Sequence, residues 1–198
     1  MKFIKFVIRL VFCHLFYHVK YVGLENLDNN QKYLICPNHS HIFDPVWLYP
    51  KIENLFIMAK SEIFKNPVIA RLLKHYGIFP VRREKRDAKS VFHAMEILQG
   101  DSNRKLLIFP EGAVIKPDKE RGNVKNGAVF IASQTETPIL PVHITKNPHL
   151  FSNITVTFGE AMNLSKEIAQ NKEQVREKSK ELLNKIYELQ LKKSDKNK

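Results

Sequence analysis

Beyond Val22-Gly23 the chain alternates short apolar runs with amphipathic stretches of helical length, and this alternation constrains the fold more than any other feature. A short apolar run bounded by turn residues reads as a buried strand. A helix-length segment before the next run supplies the crossover that a parallel neighbour needs. Strands are expected over 33–36, 55–59, 77–81, 105–109, 139–144 and 154–158, and helices over 45–49, 66–76, 87–98 and 125–134. A last helix is expected over 165–191, where Ile168, Val175, Leu182, Ile186 and Leu189 form a narrow apolar stripe on a charged rod. The expected fold class is therefore α/β, with a mixed but mostly parallel sheet flanked by helices in a single domain. With 43% hydrophobic residues the chain can bury a real core, which excludes disorder for most of its length.

The first eighteen residues, MKFIKFVIRLVFCHLFYH, are mostly apolar, with Lys2, Lys5 and Arg9 on one helical face. Arg9 near the middle is costly in hydrocarbon, and no small-residue cleavage site follows the apolar run. The pattern favours an amphipathic helix lying in a membrane interface, against the plainer reading of a first helix packed on the core. On this reading the chain divides into an interface helix over 1–20, a core over 21–160, and a C-terminal helix with a frayed tail over 161–198. Lys and Arg number 32 against 20 Asp and Glu, a net charge of +12, so the expected partner is anionic: a phospholipid surface, a phosphorylated substrate or nucleic acid. Two cysteines make no disulfide framework and suit a reducing, cytoplasm-facing environment.

The densest polar cluster is CPNHSHIFDP, where an apolar run ends at Cys36 and delivers Asn38, His39, His41 and Asp44. In an open α/β sheet, ligands bind at the carboxyl ends of strands. On a regular helix His39 and Asp44 would point roughly 140° apart, so they meet only if the segment turns. Pro37 breaks the strand, and Asp44 before Pro45 reads as a helix N-cap, which provides such a turn. A carboxylate held there would fix the tautomer of His39 and leave its other nitrogen as a general base. Against this stands the ordinary case of a surface histidine near an aspartate. No G-x-S-x-G elbow supplies a nucleophile, and Cys36 at the end of an apolar run reads as a small buried hydrophobe. No second Cys/His cluster completes a metal site. A dyad without its own nucleophile would activate a hydroxyl brought by the substrate.

Two further clusters end apolar runs and a third opens one. GIFPVRREKR presents Arg82, Arg83, Lys85 and Arg86, read either as a solvated basic loop or as an anion or nucleic-acid contact. LLIFPEGAVIKP presents Glu111, Gly112 and Lys116, with glycine permitting close backbone approach to a ligand and Glu111 able to hold a hydroxyl or an arginine. VKNGAVFIASQTETPILPV opens a helix with a basic turn suited to an anion. The aromatic residues lie mainly in apolar runs and no nucleic-acid module is recognisable, which argues against a nucleic-acid partner.

In order, NHSHIFD, GIFPVRR, FPEG and TPILPV resemble the four sequence blocks of the phospholipid/glycerol acyltransferase family, which includes bacterial 1-acyl-glycerol-3-phosphate acyltransferases. The resemblance implies that His39 is a general base oriented by Asp44, deprotonating a lipid hydroxyl that attacks the thioester of acyl carrier protein or coenzyme A directly. It implies a lyso-lipid acceptor and a transfer that needs no metal or organic cofactor, and the basic charge with the amphipathic N-terminal pattern adds the expectation of a peripheral place on the cytoplasmic face of an anionic membrane. It further implies that Lys60 contacts the acceptor's phosphate. The family's third block usually continues Thr-Arg, and that arginine also grips the phosphate; here Ala113 and Val114 follow Glu111-Gly112. Lys116, Arg82 and Arg83 stand as replacements, with Asn38 as a further substrate contact. The departure leaves two acceptors open, lysophosphatidic acid and a lyso-lipid or glycolipid lacking a terminal phosphomonoester.

Overall fold

The computed structural model describes residues 13, 15–82, 87–101, 103–115, 119, 121–145 and 148–191. Seven strands form one sheet: β1 (His18–Val22), β2 (Tyr33–Pro37), β3 (Leu55–Lys60), β4 (Ile78–Val81), β5 (Lys105–Leu107), β6 (Ile139–Ile144) and β7 (Asn153–Phe158). Their spatial order is β1-β7-β6-β2-β5-β3-β4, parallel at every pairing except β6 with β7. Helices α1 (Asp44–Leu48), α2 (Pro67–His75), α3 (Ala88–Gln99), α4 (Gly127–Thr135) and α5 (Lys172–Leu191) join or flank them. The expected α/β class with a mixed, mostly parallel sheet is what the chain forms.

Alternation along the strands sends successive side chains to opposite faces. Tyr33 and Ile35 of β2 join Trp47 and Leu48 of α1 in one cluster, while Leu34 and Cys36 join the other. That second cluster takes Ala94, Ile97 and Leu98 from α3, Val129 and Ala132 from α4, and Val175, Leu182 and Ile186 from α5. The apolar stripe of the last helix is thus its packing face. The expected 165–191 helix is interrupted, with a 3-10 turn at Lys166–Gln170 before α5 begins.

The topology locates the functional edge. Ile35 of β2 and Ile57 of β3 both stand opposite Leu107 of β5, so the carboxyl ends of these three parallel strands lie at the same edge, β2 and β3 running two and three residues past β5. After β2 the chain passes to the face covered by α1; after β5 it passes to the face covered by α4. Adjacent strands whose connections depart to opposite faces open a crevice at their carboxyl ends. His39 follows β2 and Glu111 follows β5.

Two sequence expectations are corrected. The helix assigned to 1–20 does not reach its end, because His18–Val22 is an edge strand paired in parallel with β7, Val19 opposite Ile154. Its alternation is short and only half-buried, and its partner lies near the other end of the chain, so local pattern does not reveal it. Residues 1–12 and 14, which carry the rest of that expectation, lie outside the described residues. The second correction is β5, which stops at Leu107 and frees Phe109 from the expected 105–109 strand. Gly23 after β1 has φ +70°, and a Cβ there would fall 2.2 Å from the carbonyl oxygen of Phe158. Gly23→Ala should therefore lower folding stability by about 3 kcal/mol, read from urea denaturation midpoints against the wild type.

Candidate active site

The loop after β2 is wound around one carboxylate. Asp44 Oδ2 accepts the backbone N–H groups of Ser40, at 2.8 Å, and His41, at 2.9 Å, and lies 2.9 Å from His39 Nδ1. Asp44 is the first residue of α1, and its side chain turns back onto the preceding loop instead of capping its own helix as expected. Pro45 beside it costs the helix nothing, since an N–H in the first turn has no intrahelical partner. The carboxylate is fully buried and His39 is only 7% exposed, so the pair meets where water competes little. An ionised carboxylate can only accept, so Nδ1 carries the proton and Nε2 presents its lone pair. Among the described residues Nε2 has no hydrogen-bond partner. The imidazole lies flat on Phe109, ring centres 3.7 Å apart, and this stacking fixes its plane.

The loop after β5 supports the backbone of the same histidine. Glu111 Oε2 accepts the His39 N–H at 2.8 Å, and the His39 carbonyl accepts the Ile115 N–H at 2.7 Å. Glu111 Oε1 accepts the Gly122 N–H at 3.1 Å and the Tyr187 hydroxyl at 2.5 Å. Both oxygens of this buried carboxylate are thus engaged by the chain itself. Gly112 turns the loop at φ +71°, with the Lys125 side chain against it. Asn38 is likewise spent internally: its amide bridges the Ile144 backbone, accepting at 2.7 Å and donating at 3.0 Å.

A cavity of about 460 Å³ has Phe109, the ring on which His39 stacks, in its wall with Met58, Val91, Ile108 and Ile131, and Arg82, Lys125 and Asp87 as its charged lining. Its apolar walls suit a hydrocarbon chain, and its two cations, against the single carboxylate of Asp87, suit an anionic group. Arg82 also begins the turn into α3, its N–H donating to Asp87 at 3.0 Å. Hydrogen bonds from Ser90 and from the Arg82 backbone hold the Asp87 carboxyl below its ordinary range. Lys60 ends β3 and pairs at 2.9 Å with Glu62 on the surface. Arg83 and Lys116 lie outside the described residues. The structure thus brings His39, Asp44, Glu111, Gly112 and Arg82 to one edge.

Sequence reading missed Phe109 and Tyr187. Phe109 was hidden inside an expected strand; Tyr187 follows Ile186 in the α5 stripe, the kind of position where a partly buried phenol needs a polar partner. Burial first, and the Glu111 carboxylate next, push the Tyr187 phenol above its ordinary 10.0. A folded-state value raised above the unfolded one stabilises the fold fully below about pH 10 and is lost as pH rises toward the folded-state value. Tyr187→Phe should cost about 1.5–3 kcal/mol at neutral pH. The gap to the wild type should narrow in urea titrations carried above about pH 10. Cys36 has no accessible surface, and burial pushes its thiol far above the ordinary range, so it is no nucleophile. Peptide mapping after maleimide treatment should find Cys36 unmodified in the native protein and labelled in denaturant.

The acyltransferase family model matches residues 18–145, more than half of the chain. The 1-acyl-sn-glycerol-3-phosphate acyltransferase of Streptococcus pneumoniae is 28% identical over 149 residues, covering 72% of this chain and 53% of that protein. The Bacillus subtilis enzyme of the same name is 32% identical over 125 residues, 62% of this chain and 60% of that protein. The chain thus spans little more than half the length of these curated relatives. Among solved structures, the 1-acyl-sn-glycerophosphate acyltransferase of Thermotoga maritima superposes with a TM-score of 0.73 at 23% identity, covering 96% of this chain and 79% of that one, a likeness of fold. Family model, motif order and sheet agree: the chain belongs to the acyltransferase family.

Proposed function

We propose that this protein transfers a fatty acyl group from an acyl thioester to the free hydroxyl of 1-acyl-sn-glycerol-3-phosphate, giving phosphatidic acid. The observation that carries this reading is the His39 ring, held at Nδ1 by Asp44 with Nε2 unengaged, and stacked on Phe109, which also walls an apolar cavity. The names of the curated relatives from two bacteria supply the substrate class.

The reaction follows from that geometry. Nε2 takes the proton of the acceptor hydroxyl as its oxygen attacks the thioester carbonyl. A C–O bond forms and the carbonyl electrons move to oxygen. Collapse then breaks the C–S bond, and the departing thiolate takes the proton back from Nε2. Asp44 holds the imidazole in one tautomer and faces the charge that develops on it, the task of a buried carboxylate in a dyad. No covalent acyl-enzyme, metal or organic cofactor is needed. The donor is a thioester of acyl carrier protein or coenzyme A, both anionic and both suited to a chain of net charge +12.

The same charge favours peripheral attachment to an anionic membrane on its cytoplasmic face. Among the described residues no helix is long and apolar enough to cross a membrane. Arg82 and Lys125 at the cavity, with Lys60 at the end of β3, are the cations that would meet the acceptor's phosphate. Ala113 and Val114 favour a second acceptor class, a lyso-lipid without a phosphomonoester, because neither side chain can pair with one.

His39→Ala should leave the circular dichroism and melting curve near those of the wild type while reducing acyl transfer by about 10³-fold or more. Release of free thiol from an acyl thioester, with lysophosphatidic acid beside lyso-lipids lacking the phosphomonoester, reads both questions. Transfer at the wild-type rate by folded His39→Ala would overturn the mechanism, and the preferred acceptor separates the two substrate classes.

A further inference from the structure

Helix α2 is packed unlike the others. None of its residues is buried, and among the described residues it rests mainly on the Ser61–Lys65 turn and strand β4. Val68 is 76% exposed, Leu72 55% and Ile69 44%, with Ile63 beside them at 46%. At about 100° per residue these helical positions share an arc of roughly 100° that turns away from the sheet. Ala70 and Leu73, half-buried, continue the arc toward the protein. Arg71, Lys74 and His75 occupy the remaining side, Lys65 precedes the helix, and the helix contains no acid. An apolar face bordered by cations has the composition of a helix lying in the headgroup layer of an anionic bilayer.

Position points the same way. The turn leading into α2 leaves β3 at the edge where β2 delivers His39. In the loop after β2, Ile42 is 69% and Phe43 38% exposed, directly between His39 and Asp44. The exposed apolar side chains therefore gather on connections that leave the same edge of the sheet as the dyad.

We propose that α2, with Ile63 and the Ile42-Phe43 loop, is a docking surface for an anionic phospholipid bilayer, carried by the α/β core itself. Apolar burial supplies contact on any bilayer, and Lys65 and Arg71 add preference for an anionic one. Docked so, the mouth of the site meets the leaflet, and a lipid acceptor reaches His39 without crossing water. This placement rests on the acyltransferase reading for its purpose, though not for its existence.

The test uses the full chain and cosedimentation with phosphatidylcholine vesicles, with and without phosphatidylglycerol. Val68→Ser/Leu72→Ser should weaken partitioning on both by about tenfold. Lys65→Gln/Arg71→Gln should weaken it only where phosphatidylglycerol is present. These side chains are exposed, so the variants should keep the wild-type melting curve, and transfer to a short-chain water-soluble acceptor should be unchanged. Unaltered partitioning of both variants would overturn the docking surface. So would a change confined to gel-filtration mass, which would mean that a second copy covers this face. A wild-type chain that binds vesicles through α2 but transfers no acyl group would sink the enzymatic reading and leave the docking surface standing.

Discussion

A single carboxylate oxygen organises the functional edge. Asp44 Oδ2 collects the N–H groups of Ser40 and His41 and the ring nitrogen of His39. Backbone donors in a tight loop have few neighbours of their own, and burying them unpaired would cost more than the loop could recover. The negative charge and the loop therefore depend on one another: the loop desolvates Asp44, and Asp44 satisfies the loop. The orientation of His39 results from the same contacts, so folding the loop and aiming its imidazole are one problem with one solution.

A second carboxylate extends that order across the sheet. Glu111 joins the loop after β5 to the backbone of His39, and through Tyr187 joins both to the long helix α5. Arg121 adds another tie by donating to Asn184 of α5 at 2.9 Å. Three segments distant in sequence thus meet at one acidic group. Glu111 acts by position, and its surroundings leave little of it for a substrate. A carboxylate in a short motif invites a direct chemical role, and here the geometry gives it a structural one.

The parts of the molecule legible in the sequence are those whose information is local. The strands around Ile35, Ile57 and Ile139 announce themselves as apolar runs, and α5 by its stripe. His39 and Asp44 were legible because they share one short polar segment between an apolar run and the helix start at Pro45, although Pro37, expected to break the strand, is the last paired residue of β2 and the turn is held by Asp44 itself. What escaped is information held between distant segments. β1 exists only because β7 pairs with it, and Tyr187 matters only because Glu111 lies against it. Phe109 reads as one more strand residue until β5 stops two positions short of it and turns the ring onto His39.

The pairing of β1 with β7 sets an order of events during synthesis. β1 sits at the sheet edge beside a strand that begins at Asn153, so it has no partner until nearly all of the core has left the ribosome. The central strands β2, β5 and β3 have their neighbours much sooner. β1 is thus made before its partner and docks late, the slow closure expected of contacts far apart in sequence. The side of the sheet formed by β6, β7 and β1 therefore closes after its centre, and the edge of β6 stays open until the last strand arrives.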